Sequence, residues 1–157
     1  MIDHFTDTHE ATKEAKEIFR PHYRLYSGAF MDVVYDHFLA VDENEFPGNF
    51  LFTFSQQVYA SLDKQLQWLP ERFAFMFPYM KNQNWLFNYR TSRGTRNSFE
   101  GMVRRAAYLT EADTAFHLFE KHYQLLGKCY RQFWVAIKPF ARKQFELLLS
   151  NDPLNDN

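Results

Sequence analysis

The chain has one cysteine, Cys129, among 157 residues, so no disulfide can form within it and a paired-thiol redox site is excluded. A lone thiol suits a reducing compartment and a packing role. Glycine is scarce, with 5 residues, and few Val or Thr runs alternate with polar residues, which removes the strand-and-tight-turn pattern of a β fold. Long apolar runs are missing too. The longest uncharged aromatic stretch, Phe73 to Met80, falls far short of the ~20 residues that cross a bilayer. The opening stretch from Met1 to Asp7 is acidic and lacks a basic flank leading into an apolar run, so it does not read as a secretory signal. These absences predict a cytoplasmic protein with no membrane partner. Without a Walker-type loop, a Gly-x-Ser-x-Gly elbow or a Cys-x-x-Cys pair, nucleotide-loop, serine-hydrolase and thiol-redox chemistries have no support.

What the chain has in abundance is aromatic residues: 18 Phe, 9 Tyr and 3 Trp. They predict a core of rings with polar handles on Tyr and Trp. The length suits one domain with its own core, since domains cluster around ~100–150 residues. A net charge of −1 excludes a globally basic nucleic-acid binder, yet the charge is uneven. Residues 1 to 45 hold ten acids against four Lys and Arg, together with four of the six His. From Arg90 to Arg105 the sign reverses, with five arginines against Glu100.

Apolar spacing predicts an all-α, single-domain helical bundle over residues 1–150 with a flexible tail at 151–157. Asp7, with Glu10 three residues on, reads as the cap of a first helix carrying Ala11, Ala15, Ile18 and Phe19, which Arg20-Pro21 should end. After a turn at Ser27-Gly28, a second helix buries Phe30, Val33, Val34, His37, Phe38 and Val41. Following a loop around Pro47-Gly48, a third carries Leu51, Phe54, Val58, Leu62, Leu66 and Leu69. Pro70 should begin a fourth helix, limited by Pro78. A short helix near Trp85 to Arg90 precedes an Arg93-Gly94 turn and an Arg-rich helix from about Asn97 to Tyr108. The seam Phe116, Phe119, Tyr123, Leu126, Tyr130, Phe133, Ile137 and Phe140 marks a long C-terminal helix that should pack on its own domain, kinked or broken near Pro139.

The chemistry concentrates in Asp32-Val33-Val34-Tyr35-Asp36-His37-Phe38, which puts two carboxylates and an imidazole within little more than one turn. Oxygen and imidazole donors suit Mn, Fe, Mg or Zn. Asp3, His4, Asp7 and His9 form a second acidic and imidazole-bearing group. The plainer readings stand beside these: Asp7 as a cap, His37 as a core histidine, and Asp32 and Asp36 facing water.

Read together, Ile2-Asp3-His4-Phe5-Thr6-Asp7-Thr8-His9 and the string from Asp32 to Ala40 resemble acyl carrier protein phosphodiesterases in order and separation. The likeness continues through Leu69-Pro70-Glu71-Arg72, Asn84-Trp85-Leu86, Gly101-Met102 and Arg104-Arg105. That family is all-helical and distantly related to HD-type phosphohydrolases. The resemblance implies release of 4′-phosphopantetheine from holo acyl carrier protein, with a divalent metal, typically Mn2+, and Mg2+ or Fe2+ as other candidates. It implies Asp3, Asp36 and His37 as catalytic residues, and Asp3, Asp32, Asp36 and His37 as metal ligands, with Asp7 and His9 as further partners. Arg93, Arg104 and Arg105 would meet the anionic phosphodiester and the acidic carrier protein. The family's pattern opens with a His-rich strip, a Gly-Asn segment and a His-Arg pair ahead of Ile-Asp. Met1 stands where that lead would end, so an N-terminally incomplete domain is expected, and whether it acts alone stays open. Two other readings remain: a metal-dependent phosphohydrolase acting on a nucleotide or other phosphoester, and a non-catalytic helical module that binds an acidic partner.

Overall fold

His9, and not Asp7, opens the first long helix. In the computed structural model, which describes residues 1–106 and 112–150, helix α1 covers Ile2–Thr8 and α2 covers Glu10–Tyr23. His9 sits between them in extended conformation, and its Nδ1 accepts the Ala11 N–H at 3.2 Å, satisfying one orphan donor of α2. Asp7 already lies in the last turn of α1, where its carboxylate takes Lys16 Nζ at 2.7 Å. Pro21 does not end α2 as expected. It falls in the last turn, where the missing donor costs one bond, and the helix stops at Tyr23 before Arg24 at φ 46.

A 3-10 turn at Arg24–Tyr26 leads into α3, Ser27–Ala40, so the bend lies just before Ser27-Gly28. The remaining helices are α4 (Phe50–Asp63), α5 (Glu71–Asn82), α6 (Trp85–Asn88), α7 (Ser92–Arg105), α8 (Ala112–Lys121) and α9 (Tyr123–Ser150). No strand occurs among the described residues, as an all-α fold requires. Helix α5 runs through Pro78 to Asn82, and α9 runs through Pro139 to Ser150. The end of the expected helix at Tyr108 and the tail at 151–157 lie outside the described residues.

The chain gathers into two compact units. The first comprises Met1–Met31 and the described part of Leu118–Asn157. There α2 buries Ala11, Thr12, Ala15, Phe19 and Tyr23, while α9 buries Leu126, Cys129, Tyr130, Phe133 and Ile137. Within this unit the periodic seam buries Phe119, Leu126, Tyr130, Phe133 and Ile137, leaves Tyr123 exposed, and is divided at His122 between α8 and α9. Phe5 of α1 stacks on Phe140 with ring centroids 4.4 Å apart, which closes α1 over α9. Cys129 is fully buried, and burial pushes its thiol pKa up, in keeping with a packing role.

The second unit, Asp32–His117, carries most of α3 together with α4 to α7. Its core includes Val33, Val34, Phe38, Leu51, Tyr59, Phe77, Phe99 and Val103. On α4 the buried stripe is Leu51, Ser55 and Tyr59, while Phe54 is exposed and meets Phe46 instead. Tyr59 wins the inner position because its hydroxyl accepts the Leu86 N–H at 3.0 Å, joining α4 to α6. Helix α7 starts earlier than expected, capped by Thr91, whose hydroxyl accepts the Gly94 N–H at 3.0 Å. Gly94 therefore belongs to the first turn, and a Cβ there would overlap the Asn88 carbonyl. That close approach brings α6 against α7 and sets Tyr89 between them.

Candidate functional site

An α-helix turns about 100° per residue, so Asp36 and His37 leave α3 in different directions. His37 points inward and is only 4% exposed. Its Nδ1 lies 2.8 Å from the Tyr89 carbonyl oxygen and 3.0 Å from Thr95 Oγ1. A carbonyl can only accept, so Nδ1 carries the proton. Thr95 Oγ1 also lies 3.0 Å from the Thr91 carbonyl, to which its own proton can go. Burial lowers the His37 pKa and the bond to Tyr89 opposes that only in part, so the ring is neutral at physiological pH. A neutral Nδ1–H imidazole keeps its lone pair on Nε2, the tautomer a metal-binding histidine uses when its other nitrogen is tied to a carbonyl.

Asp36 stays open to solvent, as does Asp32 one turn before it. The Asp36 carboxyl is nevertheless hemmed in: loss of hydration first, and then the Asp32 charge, push its pKa up to about 6, against a hydrogen bond from Tyr89 that lowers it. The Tyr89 phenol is pushed up to about 12 by burial and then by the Asp36 charge, so it keeps its proton and can donate it to the carboxylate. Ser98, on α7, and the charge of the Arg105 guanidinium oppose that rise. Ser98 and Arg105 are seven residues apart and share one face of α7.

The two carboxylates make an oxygen-rich, acidic surface on α3. Two carboxylates with water and substrate oxygens are the donor set that Mg2+-like hard cations accept, so Asp32 and Asp36 fit such an ion. Among the described residues no group of three or more His, Cys, Asp or Glu side chains gathers as a ready-made metal cage.

The other expected site residues are placed as follows. Asp3 is exposed on α1, in the first unit; Asp7 is held by Lys16; His9 is the cap of α2. The arginines divide by helix face: the spacing of eleven puts Arg93 and Arg104 within about 20° of one another, whereas Arg105 lies roughly 120° from Arg93. Arg105 alone of these three acts on Tyr89, and Nη1 meets Met76 Sδ at 3.5 Å. Arg96 is taken up by Glu100 and Asp113, and Arg90 lies over the Phe87 ring at 5.2 Å. Tyr89, Ser98 and Thr95 went unnoticed in the sequence; the one signal near them was the Asn84-Trp85-Leu86 motif just upstream.

Comparison with known proteins bears on the same residues. The family model described as acyl carrier protein phosphodiesterase matches residues 1–137. A protein of that name from Photorhabdus laumondii is 28% identical over 134 residues, covering 85% of this chain and 68% of the relative. One from Yersinia pestis is 31% identical over 134 residues, covering 85% and 69%. One from Enterobacter is 30% identical over 144 residues, covering 91% and 75%. No solved structure matches the chain. With a family model that takes in α1 to α7 and a carboxylate pair set on α3 inside it, the chain belongs to the acyl carrier protein phosphodiesterase family.

Proposed function

We propose that this chain is a cytoplasmic, metal-dependent phosphodiesterase that releases 4′-phosphopantetheine from holo acyl carrier protein. The observation that carries the chemistry is the Asp32–Asp36 pair, two solvent-reached carboxylates one turn apart, one of them pushed to about 6 by crowding and by its neighbour. Asp32 and Asp36 would hold the cation; Asp3 and His37 enter the proposal on the resemblance alone. A divalent cation, Mn2+ before Mg2+ or Fe2+, supplies Lewis-acid polarisation of a phosphoryl oxygen and a water of lowered pKa.

The rest is done by this chain's own groups. Tyr89 keeps its proton beside Asp36. Arg105, on the Tyr89 side of α7, meets the phosphodiester anion. Arg93 and Arg104, together on another face, attract the acidic carrier protein, an attraction that weakens as salt rises. In the net reaction water adds to phosphorus, the bond from phosphorus to the serine oxygen breaks, and that oxygen takes up a proton.

The test is to incubate the chain with holo acyl carrier protein and Mn2+ and follow the carrier protein by intact mass spectrometry. Conversion to the apo form with free phosphopantetheine supports the proposal. Unchanged holo protein beside a folded chain and active turnover of a nucleotide panel would favour a different phosphoester. Binding of the carrier protein without turnover or Mn2+ dependence would mark a non-catalytic module.

A further inference from the structure

Helix α5 carries its buried anchor, Phe77, on one side and two large rings in solvent on the other. Phe75 is 76% exposed and Tyr79 55%. At about 100° per residue the two lie about 40° apart and opposite Phe77, and their ring centroids are 6.2 Å apart. Adjoining rings left in water inside a charged rim mark a contact surface for another molecule. The rim gives the sign of that molecule. Arg72 is exposed and lies about 40° from the centre of the pair, with Met76 about 40° beyond it. Met76 Sδ meets Arg105 Nη1 at 3.5 Å, so a second guanidinium, from α7, borders the rings on the Arg72 side. Glu71 stands at the opposite edge. The other exposed aromatic run of this unit has the reverse border. Phe46, Phe50 and Phe54, with centroids 5.9 and 5.7 Å apart, follow Asp42, Glu43 and Glu45. An acidic partner is therefore drawn to the α5 face and repelled by the α4 face.

The bond that breaks in the proposed reaction joins phosphorus to a serine oxygen of the carrier protein, so the carrier's own surface must come up to the arginine that meets the phosphodiester. Arg105 is that arginine, and it touches α5. We propose that the Phe75–Tyr79 face of α5, edged by Arg72 and Arg105, is the docking surface for acyl carrier protein: the rings meet an apolar patch on the carrier, and the guanidiniums meet the carboxylates around it. The proposal rests on the reading of this chain as a phosphodiesterase acting on that carrier protein. Aromatic side chains and arginine dominate the binding energy of protein interfaces, and losing one such anchor weakens binding about tenfold or more.

The experiment compares wild type with Phe75→Ala, Tyr79→Ala and Arg72→Glu, and with Phe50→Ala and Phe54→Ala as controls on the α4 face. Fluorescence anisotropy reads the Kd for labelled apo acyl carrier protein, which lacks the scissile diester, and Mn2+-dependent release from the holo form gives KM and kcat. Phe75→Ala and Tyr79→Ala should each raise Kd and KM about tenfold or more while kcat stays within about twofold, the mark of lost docking. Arg72→Glu should raise both, most at low salt. The α4 controls should match wild type. If wild type releases phosphopantetheine and the three α5 variants keep its Kd and KM, the docking surface is wrong and the phosphodiesterase reading stands. Equal weakening by the α4 controls would also overturn it. If wild type neither binds nor turns over the carrier protein, the phosphodiesterase reading falls and takes this proposal with it. Circular dichroism checks that each variant is folded; should a ring variant fail to fold, Arg72→Glu decides, and a Kd unchanged from wild type at low salt overturns the proposal.

Discussion

Asp36 and His37 are neighbours in the chain and opposites in environment, so their removal should move stability in opposite directions. His37→Ala deletes a ring that is 4% exposed and that bonds to the Tyr89 carbonyl at 2.8 Å. The lost hydrogen bond costs about 1 kcal/mol, and the cavity left by the ring about 2 kcal/mol more. Together they lower Tm by about 6–12 °C for a chain of this size. Asp36→Asn works the other way. Burial and the Asp32 charge push the folded-state pKa of Asp36 up to about 6, above the ordinary 3.8, so folding favours the protonated form. The penalty on the charged form therefore builds as pH rises from 3.8 to about 6 and is fully present above that. Because solvent reaches the carboxyl, screening reduces the relief to about 0.5–1 kcal/mol. Thermal melts of the three proteins with a chelator, at about pH 7.5 and again near pH 4, test this. Asp36→Asn should melt above wild type at the higher pH and level with it at the lower. A neutral His37→Ala beside a destabilised Asp36→Asn would refute the assignment of inward and outward roles.

Further outcomes follow from the same geometry. Gly94→Ala drives a Cβ into the Asn88 carbonyl and should cost about 1–3 kcal/mol in urea denaturation; a neutral change would show that α6 can move away from α7. Arg105→Ala should reduce kcat/KM for holo acyl carrier protein by about tenfold or more with little change in Tm, as loss of a charge-assisted bond of about 1.5–3 kcal/mol implies. Charge reversal at Arg93 and Arg104 should instead raise KM and flatten its salt dependence, and equal kcat losses at all three arginines would contradict the two-face division. Mn2+ affinity should fall as pH drops through about 6, because Asp36 of the empty site takes up a proton there; a flat affinity from about pH 5 to 8 would contradict it.

The helical fold was legible because rings and aliphatic residues recur with the helix period along α2, α3 and α9, and burial in the structure follows those positions at Ala15, Phe19, Val34, Leu126 and Phe133. The helix ends were not. Pro21 and Pro78 each sit within helices, where each removes one backbone bond without ending the helix, and Asp7 lost the cap to His9 because α1 had already claimed it. The Asp32–His37 string was legible as a place for chemistry, since few structural roles demand two carboxylates and an imidazole so close together. Its internal division was legible as well: His37 falls on the apolar stripe with Phe30, Val33, Val34 and Phe38, which the structure buries, while Asp32 and Asp36 fall off it and stay exposed. Tyr89 was out of reach for another reason: it meets His37 across 52 residues of chain, and no local pattern marks a backbone carbonyl that a distant imidazole will reach.

The central claim is that the carboxylate at Asp36 serves a divalent cation in hydrolysis of the carrier protein's phosphodiester. Single-turnover release of phosphopantetheine from holo acyl carrier protein by wild type and Asp36→Ala, each with saturating Mn2+ and matched for helicity, tests it most directly. The account predicts Mn2+-dependent release by wild type and none by Asp36→Ala. Equal release by the two proteins would contradict it.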